Sequence, residues 1–152
     1  MNRLLLKLAI TAAAGSLLFS NPILAQILPP AKRAEHVEIT KGPELEIAYD
    51  DTVIVRWTTN NPRGDDEHYG VVHYGTDPED LSQTAKGHIR LNRNHPETMF
   101  RVRMVGLKPQ TIYYYKVTSM ESSGESDGVE SPVNQFTTPA PGERIVAYPQ
   151  PK

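Results

Sequence analysis

Leu107-Lys108-Pro109-Gln110-Thr111-Ile112-Tyr113 is the stretch of sequence that decides the fold. A leucine ahead of a proline turn can close one end of a hydrophobic core, and the proline ring fixes the backbone of the turn. A tyrosine in a partly buried corner needs a hydrogen-bond partner for its hydroxyl. We therefore expect the hydroxyl of Tyr113 to have a backbone partner.

Short β-type segments separated by turn signals extend outward from this stretch in both directions. Apolar residues alternate in the clearest of them, and no segment shows a sustained helical period with caps. About seven short strands with regular turns predict an all-β sandwich. The segments are 37–41 and 45–49, which flank Gly42-Pro43, then 52–59, 69–74, 83–91, 98–105, 111–119 and 133–137.

The expected core combines one face of several of these segments. Trp57 shares a face of its segment with Val53 and Val55, and a second segment contributes Tyr113, Tyr115 and Val117 by the same alternation. Arg101 and Arg103 fall on the opposite, solvent-facing side of their own segment, where they could form part of a binding patch.

Composition excludes several classes of function. The chain has 152 residues, 38% of them hydrophobic, a net charge of −2 and no cysteine. The absence of cysteine excludes disulfides, thiolate metal sites and a cysteine nucleophile. The near-neutral charge gives no reason to expect binding to nucleic acid or to an anionic membrane. One domain of ordinary size is expected.

The first 25 residues have the layout of a secretory signal peptide. Arg3 and Lys7 give a basic start, residues 8–19 are apolar, and Ala25 marks the expected cleavage point. The alternative is a retained membrane anchor, but the apolar run is shorter than the roughly 20 residues that a bilayer crossing needs. We therefore expect a secreted or periplasmic protein that has no membrane contact after cleavage.

The rest of the chain divides into three parts. Residues 26–36 are predicted to be a leader, residues 37–138 the folded domain, and residues 139–152 an extended, semi-rigid tail, since this end contains Pro139, Pro141, Pro149 and Pro151. The serine-rich stretch 119–131 is predicted to be a flexible loop.

The deciding stretch resembles the L-x-P-x-T-x-Y corner between strands E and F of fibronectin type III domains. Trp57 stands where that family has its strand-B tryptophan, and Val72 and Tyr74 resemble its strand-C core pair. The run Phe136-Thr137-Thr138-Pro139 resembles its closing strand. The resemblance covers about residues 37–139 and implies an immunoglobulin-like sandwich of antiparallel strands, with Leu107, Pro109, Tyr113 and Tyr115 as corner and core residues.

A narrower resemblance is to the fibronectin-like N-terminal domain of purple acid phosphatases. It rests on Val72-His73-Tyr74-Gly75-Thr76, on Tyr113-Tyr114-Tyr115 and on the same closing strand. In that family the domain precedes a larger metallophosphatase domain, which holds the catalytic metals. Only residues 139–152 follow the sandwich here, and none of the metal-binding motifs occurs in them. The resemblance therefore implies a fold without catalytic residues, and we expect no enzymatic activity, no cofactor and no metal.

An acidic cluster and the histidines are the remaining candidates for metal chemistry. Asp65-Asp66-Glu67-His68 could offer oxygens to a hard cation but lacks the spaced ligands of a calcium loop, so a solvated loop is expected. His68 and His73 fall on opposite faces of one strand. We expect all five histidines at the surface.

The tripeptide Arg63-Gly64-Asp65 lies in the loop between the segments 52–59 and 69–74. It resembles the integrin-binding tripeptide of animal matrix proteins, which lies in a different loop of the fibronectin type III fold. It is also ordinary turn chemistry after Pro62, which is the reading we favour over an adhesion site.

These features favour an exported, monomeric, non-catalytic module that acts in protein interaction or as a spacer, with a protein, cell-surface or polysaccharide partner. One alternative is an accessory domain of a metallophosphatase system. The other is a carbohydrate- or cell-wall-binding module that uses Tyr69 and Tyr114, two tyrosines that alternation places away from the core.

Overall fold

The computed structural model describes residues 32–92 and 94–146, which fold into strands without a helix. The predicted signal peptide 1–25, most of the predicted leader and residues 147–152 lie outside the described residues. Within the described part, no helix has the length and apolarity that crossing a bilayer requires. The strands are β1 (Ile39–Tyr49), β2 (Thr52–Asn60), β3 (Glu67–Gly75), β4 (Gln83–Arg90), β5 (Glu97–Met104), β6 (Ile112–Glu121), β7 (Ser126–Glu130), β8 (Asn134–Thr137) and β9 (Arg144–Val146).

Two antiparallel sheets pack face to face, which confirms the predicted all-β sandwich. The first sheet has the strand order β5-β2-β1-β9. The second has the order β4-β3-β6-β7, and β8 also pairs with β6. Strands β8 and β7 lie along successive halves of β6, so together they occupy the place of one closing strand.

Alternating side chains from both sheets fill the space between them. Trp57 of β2 stacks on Phe100 of β5, with ring centroids 5.2 Å apart. Tyr113 of β6 stacks on Phe136 of β8 at 5.7 Å. The buried apolar residues include Val53, Val55, Trp57, Val72, Tyr74, Phe100, Val102, Met104, Leu107, Tyr113, Tyr115, Val117 and Phe136.

Gly70 in the middle of β3 makes room for the aromatic stack of the opposite sheet. A Cβ atom at Gly70 would lie 2.7 Å from Cη2 of Trp57 and 2.9 Å from Cδ1 of Phe100. Real Cβ atoms do not approach other atoms so closely. The rings of Trp57 and Phe100 therefore fill the space that a side chain at position 70 would need.

The turn before β6 is fixed by hydrogen bonds to the end of β8. The backbone N–H of Thr111 donates to Oγ1 of Thr138 at 2.9 Å, and that hydroxyl donates to the carbonyl of Lys108 at 2.6 Å. Leu107 is buried, and its N–H donates to the carbonyl of Asp51 at 3.0 Å. Gln110 has a positive φ of 49°, which allows the tight turn.

Three elements differ from the sequence-based predictions. The segments 37–41 and 45–49 are not separate, because β1 runs through Gly42-Pro43 with shifts in its register against β2. The predicted flexible loop 119–131 is wrong, since β6 continues to Glu121 and β7 begins at Ser126. Arg144–Val146, assigned above to an extended tail, instead form β9 on the free edge of β1.

Candidate interaction surfaces

The outward side of the first sheet carries a row of apolar side chains. The register places Arg103 of β5 beside Ile54 of β2, Ile54 beside Ile47 of β1, and Ile47 beside Val146 of β9. Ile47 and Ile54 are half-buried, while Val146 is 42% exposed. Paired residues share a face of a sheet, so this row lies on the solvent side, opposite the core.

An open depression of about 550 Å³ lies over this row. Its lining combines the three apolar side chains with Tyr49 and the cations Arg101, Arg103 and Arg144. We call this surface the arginine face. It has an apolar floor and charged edges, which is the composition of many protein-binding surfaces.

Not every arginine of the arginine face has an acidic partner among the described residues. Arg101 Nε donates to Glu46 Oε2 at 2.7 Å. By contrast, no acidic side chain of residues 32–92 and 94–146 pairs with Arg103 or Arg144. These two guanidinium groups are therefore available to an external carboxylate.

Three acids also line the depression: Glu46, which pairs with Arg101, and Asp50 and Glu143, which bond to backbone groups of the turn that precedes β9. Asp50 Oδ1 accepts a hydrogen bond from the N–H of Gly142 at 3.0 Å, and Glu143 Oε2 accepts one from the N–H of Ala140 at 3.2 Å. The bond to Asp50 ties the turn to the end of β1, and the bond to Glu143 closes the turn on itself.

The tripeptide Arg63-Gly64-Asp65 lies in the β2–β3 loop (residues 61–66) and is tied to its surroundings. The guanidinium of Arg63 donates to the carbonyl of Glu35. Gly64 has a φ of +85°, and a Cβ atom there would overlap the carboxylate of Glu121. The loop therefore packs against the end of β6, and Ser122 Oγ of the β6–β7 turn (residues 122–125) lies 3.5 Å from Asp65 Oδ2, so the loop does not project freely.

His68 is completely buried, so its predicted surface position is wrong. Its Nδ1 lies 3.1 Å from Oδ2 of Asp127 in β7, and its Nε2 lies 3.0 Å from the carbonyl oxygen of Asp65. The hydroxyl of Ser119 in β6 donates to the same Asp127 oxygen at 2.6 Å. Burial alone would lower the pKa of His68, but the contacts with Asp127 and Asp65 outweigh burial and raise the pKa above 6.5.

This cluster does not form a nucleophilic site. In a serine hydrolase the histidine lies between the serine and the carboxylate and takes the proton of the serine. Here Asp127 lies between Ser119 and His68, and Ser119 gives its hydrogen bond to the carboxylate. The arrangement can hold strands together but cannot activate the hydroxyl.

The acidic residues Asp65, Asp66 and Glu67 do not converge on one site, because Asp66 and Glu67 contact different partners. Asp66 Oδ1 pairs with Arg33 at 2.6 Å, so this carboxylate is part of the join between the leader and the loop and is only partly solvated. Glu67 contacts His88 and Arg90 on the neighbouring strand. No group of three or more His, Cys, Asp or Glu residues within the described ranges is placed to hold a metal ion.

The two tyrosines proposed to bind carbohydrate lie on the outward side of the second sheet but far from one another. Tyr69 contacts the ring of His88, with centroids 5.2 Å apart. The residue of β3 opposite Tyr114 is Gly75, six positions beyond Tyr69, which corresponds to roughly 20 Å along the sheet. The structure does not bring these two rings into one platform.

The core residues predicted from the sequence lie between the two sheets. The row formed by Ile54, Ile47 and Val146 was not predicted from the sequence. Arg101 and Arg103 are solvent-exposed, as alternation suggested. The signal for Ile54 was present in Thr52–Asn60, where alternation puts Ile54 opposite the core. No sequence pattern indicated that Val146 belongs to this row, because β9 was not predicted as a strand.

Comparison with known proteins gives one family and several structural neighbours. Residues 40–138 match the family model described as purple acid phosphatase, N-terminal domain. The sensor domain of the anti-sigma factor RsgI4 in Pseudobacteroides cellulosolvens is 18% identical, covering 74% of this chain and 98% of that chain with a TM-score of 0.48. The fn3 domain of human contactin 1 is 13% identical, covering 87% of this chain and 97% of that chain with a TM-score of 0.42. No curated protein matches the chain.

The family match begins in β1 and ends directly after β8, so it includes the paired core of both sheets. It spans well over half of the sequence and contains the corner of Tyr113. The chain therefore belongs to the family of purple acid phosphatase N-terminal domains, which have a fibronectin-like fold.

Proposed function

We propose that this chain is an exported, non-catalytic module that binds another protein through the arginine face. The observation that carries the proposal is the row Ile54–Ile47–Val146 on the solvent side of the first sheet, with Arg103 at one end. Apolar side chains at the centre of a surface and arginines around them favour association with a protein. The signal-like residues 1–25 support export.

The chemistry of the surface favours a particular kind of partner. An apolar side chain of the partner would cover Ile47 and Ile54, and a nearby carboxylate would reach Arg103 or Arg144. Arginine pairs with carboxylates through two parallel hydrogen bonds, which adds orientation to the contact. A partner segment with apolar and acidic residues in alternation would satisfy both requirements.

Site-specific photo-crosslinking tests this proposal. A photoreactive amino acid at position 54 is expected to capture a protein in the exported fraction of the producing cells. The matched control is position 112, since Ile112 is an exposed isoleucine on the outward side of the second sheet. Capture at 54 without capture at 112 supports the proposal, whereas equal capture, or none at 54, contradicts it.

Family membership favours one class of partner, a metallophosphatase domain, which makes an accessory role the second candidate function. Such a role requires the partner to contain the metal ligands, since the described residues provide no group of three or more placed to hold a metal ion. Co-elution of the purified chain with a metallophosphatase from the same organism would support the accessory role. A crosslinked partner at position 54 without a metallophosphatase domain would favour the general interaction function.

A further inference from the structure

The strongest feature outside the arginine face is the cluster at the end of the sandwich near the β2–β3 loop. It joins four segments of the chain through one imidazole ring: His68 of β3, Asp65 of the loop, Asp127 of β7 and, through Asp127, Ser119 of β6. His68, Asp127 and Ser119 are almost completely removed from solvent. The cluster is therefore a buried polar join between the loop and the edge of the second sheet.

Both ring nitrogens of His68 face oxygens that accept hydrogen bonds. The carbonyl of Asp65 can only accept, and an ionised Asp127 can only accept. A neutral imidazole has one N–H, so it can satisfy only one of these two oxygens, and its other nitrogen would face a lone pair. An imidazolium has two N–H groups and satisfies both at the observed 3.0 and 3.1 Å.

We propose that a protonated His68 acts as a pH-sensitive lock, which holds the β2–β3 loop against the second sheet and releases the loop when the proton is lost as the pH rises. Loss of that proton leaves either the Asp65 carbonyl buried without a donor or the Asp127 carboxylate with only the hydrogen bond from Ser119. The segment released contains Arg63-Gly64-Asp65, which is otherwise held against Glu35 and Glu121.

The charged groups around the pair come from each neighbouring segment. Asp127 of β7 is in direct contact, Asp65 lies in the loop, and Glu121 of β6 is close enough to raise the pKa of His68. A depression of about 390 Å³ beside Asp127 is lined by Glu35, His36, Arg63 and Glu125 as well. Acids outnumber cations in this set, so the surroundings favour the positive charge of His68.

The direction of the pH dependence follows from linkage. The pKa of His68 is higher in the folded chain than in the unfolded chain, so its stabilising contribution is complete below about pH 6.5 and is lost as the pH rises through the folded value. Each unit of difference between the two values changes the unfolding equilibrium constant about tenfold.

His73 is the matched control, because it lies on the same strand and faces outward. Its Nε2 lies 3.1 Å from the hydroxyl of Thr118. Partial burial and the nearby Lys116 lower the pKa of His73 in the folded chain. Its contribution to stability therefore has the opposite sign and is lost as the pH falls.

Hydrogen exchange of the β2–β3 loop between pH 5.5 and 9.5 tests the lock. After correction for intrinsic exchange, loop amides of the wild-type chain are expected to lose protection as the pH rises, while β6 amides keep theirs. His68→Gln should give weak loop protection at every pH, and His73→Gln should keep the wild-type profile. A His68→Gln profile equal to that of the wild type, or wild-type loop protection that does not change with pH, would overturn the proposal.

Nitrogen NMR of the wild-type histidine side chains gives a second result that does not depend on a variant that folds. One buried histidine should keep protons on both ring nitrogens to a higher pH than an ordinary histidine does. Five histidines that all lose their second ring proton at or below the ordinary histidine pKa would overturn the assignment.

Discussion

The hydroxyl of Tyr113 accepts a hydrogen bond from the backbone N–H of Lys108 at 3.0 Å. The two residues are five positions apart, and the contact closes the turn that leads into β6. The ring of Tyr113 is 4% exposed and packs against Phe136 and Tyr74. The tyrosine therefore joins the turn to the core with both its ring and its hydroxyl.

Tyr113→Phe is expected to lower the free energy of unfolding by about 1–3 kcal/mol, because it keeps the ring but leaves the N–H of Lys108 without its acceptor. Urea unfolding measures this loss. Tyr114→Phe is the control, since Tyr114 faces outward and water can replace its partner. Equal midpoints for the two variants would show that the contact of Tyr113 has no special role.

Gly70→Ala is expected to cost about 1–3 kcal/mol, since the new methyl group would overlap the rings of Trp57 and Phe100. Combining it with Phe100→Leu, which provides space, should cost less than the sum of the two single changes. Urea unfolding of the three variants gives the coupling. Additive costs would mean that the stack does not limit the space at Gly70.

Asp65→Glu tests the adhesion reading of Arg63-Gly64-Asp65. The carboxylate of Asp65 is exposed, so the change should alter stability by no more than about 0.5 kcal/mol and leave partner binding unchanged. Gly64→Ala should cost about 1 kcal/mol or more, because Gly64 has a positive φ. Loss of cell or partner adhesion in Asp65→Glu alone would identify the tripeptide as a binding site.

The purified chain is expected to hydrolyse no phosphomonoester, with or without added iron, zinc or manganese. A two-metal site needs several ligands in one place, and residues 32–92 and 94–146 provide no such group. A phosphatase assay measures this directly. Metal-dependent turnover that disappears in a His68 or His73 variant would contradict the prediction.

The sandwich core could be predicted because its strands alternate apolar and polar residues, as in Thr52–Asn60, where every second side chain enters the core. Strand β7 could not be predicted from such a pattern. Its sequence Ser-Asp-Gly-Val-Glu has one buried apolar side chain, and Asp127 is held there by hydrogen bonds to β3 and β6. A strand held by polar contacts has the composition of a loop.

The candidate sites depend on contacts between distant parts of the chain. His68 and Asp127 are 59 positions apart, and no local pattern links them. Val146 joins the arginine face only because β9 pairs with β1, after the prolines at 139 and 141. Alternation could predict that Ile54 faces outward, but not which side chains surround it.

Binding of a protein to the arginine face is tested by the retention of exported proteins on immobilised wild-type, Ile54→Glu and Ile112→Glu chains. Both variants place a carboxylate at a solvent-accessible isoleucine, so they differ in the sheet that carries the change. We expect at least one protein to be retained by the wild type and by Ile112→Glu and to be lost from Ile54→Glu. Retention of the same proteins in the same amounts by all three chains would contradict it.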